Sequence, residues 1–226
     1  MDDGGTTQTG PGRAEPDEQQ LREQVCEIGR NLWRKDMVAA NDGNITVRLG
    51  PDRFLATPTG TSKGYLRPEL LAVVDAAGRP EPGCPVRPSS ELPMHLRVYA
   101  RRPDVGAVVH AHPMYATVWA VAGEGLPRQM LPETVVAMGP VPLAPYATPS
   151  TNAVPDSIEP FLTGAAVLLE QHGALTWGPD LMSAYLAMER LEYTAKISYL
   201  LRRIGAERDL PAAEIARLKE RFGTTY

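Results

Sequence analysis

Apolar residues at Leu21, Val25, Ile28 and Leu32 recur at helical spacing and predict an amphipathic helix beginning soon after Asp17. Four turn formers, Asn41-Asp42-Gly43-Asn44, then interrupt the chain. Ile45–Arg48 and Phe54–Thr57 read as short strands separated by the turn Gly50-Pro51-Asp52. The run Glu69–Val74, behind Pro68, reads as a short helix with proline in its first turn. After a Pro/Gly-rich loop over 77–88, Ser89 or Ser90 is positioned to cap a helix carrying Met94, His95, Val98 and Tyr99. Val105–His112 is a buried strand running into a polar end, followed by a helix over Pro113–Val121. A short helix is predicted over Val154–Leu162, then a second buried strand, Ala165–Leu169, ending in Glu170-Gln171-His172-Gly173. The longest periodic segment runs from about Asp180 to Ile204, with apolar contacts marked by Leu181, Tyr185, Met188, Leu191, Tyr193 and Ile197. A last helix starts at Pro211 and stops near Gly223. Strands and helices interleave throughout, which predicts one α/β domain.

Composition changes this picture only at the edges. Residues 1–16 carry no bulky apolar side chain beyond Met1 and predict a disordered tail, leaving a single domain over 17–226. At 226 residues, 43% hydrophobic and 22% charged, the chain has enough apolar material for a sizeable core. A formal net charge of −4 supplies no basic footprint for nucleic acid or acidic lipid. No run approaches the roughly 18 apolar residues that span a bilayer, so a soluble, cytoplasmic protein is expected. Cys26 and Cys84 alone argue against a disulfide framework.

The candidate chemistry gathers at strand ends. His110 and His112 stand two apart on a strand, so both imidazoles leave the same face and could chelate one ion. Alone, such a pair reads better as polar residues at a strand end, facing solvent or satisfied by hydrogen bonds. His172 follows the second buried strand and supplies a third imidazole, which two central strands could bring to the same sheet end. Three histidines leave a coordination position open, the pattern of a catalytic site. His95 sits mid-helix among apolar residues and is assigned to packing. Ser89-Ser90-Glu91 reads as a helix start, or as an anion site with a carboxylate beside the histidines. Thr57–Gly64 combines hydroxyls, glycines and Lys63, and reads as a surface turn or a second anion cradle.

Together these segments resemble the class II aldolase/adducin family, from about Leu21 to the C-terminus. The resemblance is carried by Gly43–Arg48, Thr57-Pro58-Thr59-Gly60, Pro88-Ser89-Ser90-Glu91, Ala107–His112, Ala144-Pro145-Tyr146-Ala147-Thr148 and Gln171-His172-Gly173, in that order. It implies a three-layer α/β/α fold with a central, largely antiparallel sheet, and a homotetramer. It also implies a zinc ion, with manganese, cobalt or iron as other choices, held by His110, His112 and His172. Glu91 becomes the catalytic acid/base and an additional metal ligand, while Gly43, Asn44, Thr59, Gly60, Ser89 and Ser90 bind a substrate phosphate. The implied reaction is aldol cleavage of a ketose 1-phosphate, such as L-fuculose 1-phosphate, to dihydroxyacetone phosphate and an aldehyde. Alternatives on the same site are a methylthioribulose-phosphate-type dehydratase, a 4-epimerase, a decarboxylase or an oxygenase; an adducin-like interaction domain is the non-enzymatic option. The epimerase carries aspartate where this chain has Glu91, and the interaction domains normally lack the metal ligands. Relative to the aldolases, the segment Leu131–Val136 contains no tyrosine, so Glu133 or Thr134 is expected to face the aldehyde. Tyr226 matches a C-terminal tyrosine that helps protonate the departing aldehyde.

Overall fold

Asp17 starts the first helix by a reciprocal cap. Its carboxylate accepts the Gln20 backbone N–H at 2.8 Å, and the Gln20 side chain accepts the Asp17 N–H at 3.2 Å. In this computed structural model, which describes residues 17–126 and 129–224, helix α1 (Glu18–Arg34) is followed by the hairpin β1 (Asn44–Gly50) and β2 (Arg53–Ala56). Then come β3 (Ala72–Asp75), α2 (Leu92–Arg101), β4 (Ala107–Ala111), α3 (Met114–Val121) and α4 (Pro132–Ala137). The chain continues through β5 (Leu143–Ala144), α5 (Ala153–Ile158), β6 (Ala166–Leu169) and β7 (Gly173–Gly178) to the long α6 (Leu181–Arg203) and to α7 (Ala212–Phe222). The expected disordered tail and Tyr226 both lie outside the described residues.

The strands form one sheet in the order β3-β2-β1-β4-β7-β6-β5, with every pairing antiparallel except β5 with β6. The central strands are buried on both faces, and the core that each side chain enters alternates with the strand period of two. Ile45, Val47, Val73, Ala107, Val109, Leu168 and Ala174 face one core with the inner sides of α1, α3 and α6. Phe54, Val74, Val108, Val167, Leu175 and Trp177 face a second core with α2 and α5. The result is the three-layer arrangement the resemblance implied.

Three local readings are corrected. Glu69–Val74 is not a helix: a single 3-10 turn (Pro68–Leu70) leads into strand β3. Its unbroken apolar run is what a strand covered on both faces looks like, and periodicity cannot tell the two apart. Neither serine caps α2. Glu91 occupies that position without a side-chain cap, and the Ser89 hydroxyl accepts the Glu91 N–H at 3.3 Å. On α6, Tyr193 points to solvent, and the buried stripe continues through Thr194, Ala195 and Ser198, small residues that carry little hydrophobic signal. Strand β7, whose sequence is Gly-Ala-Leu-Thr-Trp-Gly, has too few bulky apolar residues to stand out in the pattern. Among the described residues no helix is long and apolar enough to cross a membrane.

Candidate metal centre

The antiparallel register brings the three distant histidines together. β4 pairs with β1 through His110 and Asn44 on one side, and with β7 through His110 and Leu175 on the other. His110 is therefore central and fully buried. His112 stands just beyond the end of β4, its backbone N–H donating to the Met37 carbonyl at 2.9 Å. His172 sits in the tight turn between β6 and β7, after Gln171 in the left-handed region (φ 57°). Gly173 completes that turn because a Cβ there would lie 2.6 Å from both the Ala111 carbonyl oxygen and the His112 ring. The three ring centroids form a nearly equilateral triangle with sides of 4.7, 4.9 and 4.9 Å.

The donor atoms suit a cation. His110 Nδ1 is 2.9 Å from the Ala174 carbonyl oxygen, which can only accept, so Nδ1 carries the proton and the Nε2 lone pair faces the cluster. His112 Nε2 is 3.0 Å from His110 Nε2, and one ligating atom from each of the three histidines lies within 4.8 Å of the others. Glu91 closes the open side, with Oε2 3.4 Å from His110 Nε2 and Oε1 3.2 Å from His172 Nε2. Glu91 Oε1 is buried and, among the described residues, accepts no well-formed hydrogen bond; its neighbour is His172 Nε2, so an anionic oxygen is left unsatisfied where the imidazoles converge. The triad is consistent with a divalent metal site.

Electrostatics point the same way. Burial, reinforced by the neighbouring histidines and opposed by Glu91, pushes the His110 imidazole well below its usual range. Burial also lowers the His112 imidazole, which favours the neutral form that a metal ligand must have. Burial raises the Glu91 carboxyl; interaction with a proton on the neighbouring His110 or His172 imidazole and the Asn44 hydrogen bond outweigh it and bring the carboxyl below its usual range.

The turn Asn41–Asn44, read from its residues as a chain break and assigned by resemblance to the phosphate through Gly43 and Asn44, forms the back wall of the site. Asp42 Oδ2 lies 3.5 Å from His112 Nδ1, and Asn44 Nδ2 donates to Glu91 Oε2 at 2.8 Å. Gly43 has φ +74°, and a Cβ there would lie 2.8 Å from the His110 carbonyl oxygen and 2.7 Å from a Val38 methyl. Gly43→Ala should therefore cost about 1–3 kcal/mol, read as a lower denaturant midpoint, and loosen metal binding with it. An alanine variant as stable as the parent would show that the turn has room to relax.

The proposed phosphate groups fall into two sets. Thr59 N–H donates to the Arg87 carbonyl and Ser89 N–H to the Thr57 carbonyl, both at 3.0 Å, so Thr59-Gly60 stands beside Ser89-Ser90. Thr57 Oγ1 accepts the Ile45 N–H at 3.0 Å and ties this pair of loops to the start of β1, where Asn44 lies. Gly43 is packed behind His110 rather than open to solvent. His95 keeps its structural assignment: it is buried, pushed down to about 3 by that burial, with Nδ1 2.9 Å from Thr46 Oγ1. Thr134 does not face the histidines. It is buried and shares a 2.9 Å hydrogen bond with Thr194 on α6, while Glu133 is exposed.

Comparison with known proteins adds identity to geometry. A family model described as the class II aldolase and adducin N-terminal domain matches residues 23–199. A 3-oxo-tetronate 4-phosphate decarboxylase of Escherichia coli is 37% identical over 210 residues, covering 89% of this chain and 96% of the relative. An L-fuculose phosphate aldolase of Methanococcus maripaludis is 29% identical over 178 residues, covering 79% and 96%. Among solved structures, an L-fuculose 1-phosphate aldolase superposes with a TM-score of 0.83 at 32% identity, covering 90% of this chain and 96% of the other.

Proposed function

The chain belongs to the class II aldolase and adducin N-terminal domain family, and from that premise we propose that it is a metal-dependent lyase that decarboxylates a 3-oxo-tetronate 4-phosphate-like sugar acid. The observation that carries a lyase reading is the convergence of His110, His112 and His172 on the unsatisfied Glu91 oxygen. Decarboxylation is favoured over aldol cleavage by the higher identity to a decarboxylase, 37% against 29% and 31% for two aldolases.

Such a substrate carries a carboxylate on C1, a hydroxyl on C2, a ketone on C3 and a phosphate on C4. Breaking the C1–C2 bond releases CO2 and leaves the electron pair on C2, delocalised into the C3 carbonyl as an enediolate. A divalent ion held by the three histidines, with zinc the best match to imidazole and carboxylate donors, would polarise the carbonyl and offset that charge. Glu91, ionised in its surroundings, takes the C2 hydroxyl proton and returns it to C2 as CO2 departs. Solvent restores the hydroxyl, and the product is dihydroxyacetone phosphate. Asn44, Thr59, Gly60, Ser89 and Ser90 hold the phosphate through amide, hydroxyl and backbone donors, with Gly43 shaping the turn behind Asn44.

Aldol cleavage of a ketose 1-phosphate is the second reading, favoured by the structural match to the fuculose 1-phosphate aldolase. It breaks a bond to the same kind of enediolate but expels an aldehyde, and Tyr226 has a task only there, since departing CO2 needs no proton. Loading the purified protein with zinc and supplying the acid labelled with 13C at C1 separates the two. Labelled CO2 should appear in step with dihydroxyacetone phosphate, ketose 1-phosphates should react far more slowly, and the unphosphorylated acid should bind poorly. Aldehyde release from a ketose 1-phosphate, with no CO2 from the acid, would overturn the decarboxylase reading.

A further inference from the structure

Lys63 is among the most deeply buried large side chains of the protein, at 1% exposure. Its Nζ donates to the Asn41 carbonyl at 2.9 Å and to the Thr61 carbonyl at 2.6 Å. No carboxylate lies within ion-pair distance of it among the described residues. Asp42 and Glu91 act on it only through space, and burial still pushes its ammonium down to about 8. A cation without a contacting anion is a costly thing to bury. Its two carbonyl partners identify what it does: one belongs to the turn that carries Asp42, Gly43 and Asn44, the other to the loop that carries Thr59 and Gly60. The backbone N–H groups of Gly60, Thr61 and Ser62 make no hydrogen bond among the described residues. A positive charge on the Thr61 carbonyl polarises the peptide it shares with the Ser62 N–H, making that group a stronger donor to an anion.

We propose that Lys63 is a positioning residue for the substrate's phosphate, pinning the Asn41–Asn44 turn to the Thr57–Ser62 loop and strengthening the donors between them. Being fully buried, it acts through these loops and not by touching the substrate. The proposal rests on the phosphorylated-substrate reading above.

The test uses the zinc-loaded protein and inorganic phosphate as the probe, followed by calorimetry, so it does not depend on which reaction is catalysed. The parent protein should bind phosphate, and Lys63→Met should bind it roughly tenfold or more weakly with unchanged metal content. In turnover, Lys63→Met should raise KM for the phosphorylated substrate by a similar factor and change kcat by less than about threefold. Lys63→Arg, which keeps the charge, should recover part of the affinity. Equal phosphate affinity in Lys63→Met and parent overturns the role of Lys63 and leaves the function reading intact. A parent that neither binds phosphate nor prefers the phosphorylated acid removes the phosphate reading and this inference with it. Should Lys63→Met fail to fold, 13Cε-lysine spectra of the parent decide: the Lys63 signal must move on adding phosphate, and an unmoved signal overturns the proposal.

Discussion

Alanine at His110, His112 or His172 should each strip the protein of most of its divalent metal. Even the outer groups that orient a metal ligand are worth about 10–100-fold in affinity, and the loss of a ligating nitrogen should exceed that. The three variants differ in their side effects. His110 is fully buried and bonded to the Ala174 carbonyl, so its removal also opens a void and leaves that acceptor unpaired. His112 and His172 keep 24% and 13% of their side chains exposed, so their loss should be felt mainly at the metal. His95→Ala is the control: it removes a buried histidine bonded to Thr46 and should leave metal content unchanged. Metal analysis of the purified variants, with melting curves taken before and after chelation, reads both effects. Full metal content in any two of the three ligand variants would end the metal-site assignment.

Glu91→Gln should fold, keep its metal and lose roughly 10²–10⁴-fold in kcat, the usual contribution of a positioned acid/base. The amide preserves shape, and its oxygen can still accept from Asn44 Nδ2, so the 2.8 Å contact that anchors the side chain survives. What disappears is the proton carrier. The cleanest readout is independent of the leaving group: in heavy water the parent should exchange a hydrogen on the hydroxymethyl carbon of dihydroxyacetone phosphate, and Glu91→Gln should not. Exchange within a few-fold of the parent would show that another group moves the proton.

Much of this architecture could be read from the chain because amphipathic periods and turn residues are local. The spacing of Leu21, Val25, Ile28 and Leu32 becomes the buried or half-buried face of α1, and the Pro211–Gly223 reading becomes α7, closed by Gly223 at φ +65°. Strand direction could not be read, since nothing local distinguishes parallel from antiparallel partners. The same limit shaped the site. His110, His112, His172 and Glu91 were marked by residue type and by resemblance, and His172 follows a strand as expected, but the strand β7 directly after it was unforeseen. Asp42 was read as a turn former only, and Lys63 as a cation of an anion cradle, not as a buried tie between two loops. Their roles arise from contacts with His112, Asn41 and Thr61 that exist only once the sheet is assembled.

The central strand carries a consequence for the order in which the molecule is made. β4 pairs with residues 44–47 on one side and 174–178 on the other, so both flanks of His110 are closed by segments far away along the chain. Contacts of such long sequence separation cost loop-closure entropy before they return any stabilisation, and they slow folding. His110, His112 and His172 therefore cannot meet early, and the ion cannot act as a nucleus as it does in a zinc finger, where binding and folding are one event. The two apolar layers that bracket the sheet hold the scaffold without help from an ion, so a metal would bind to a socket that folding supplies.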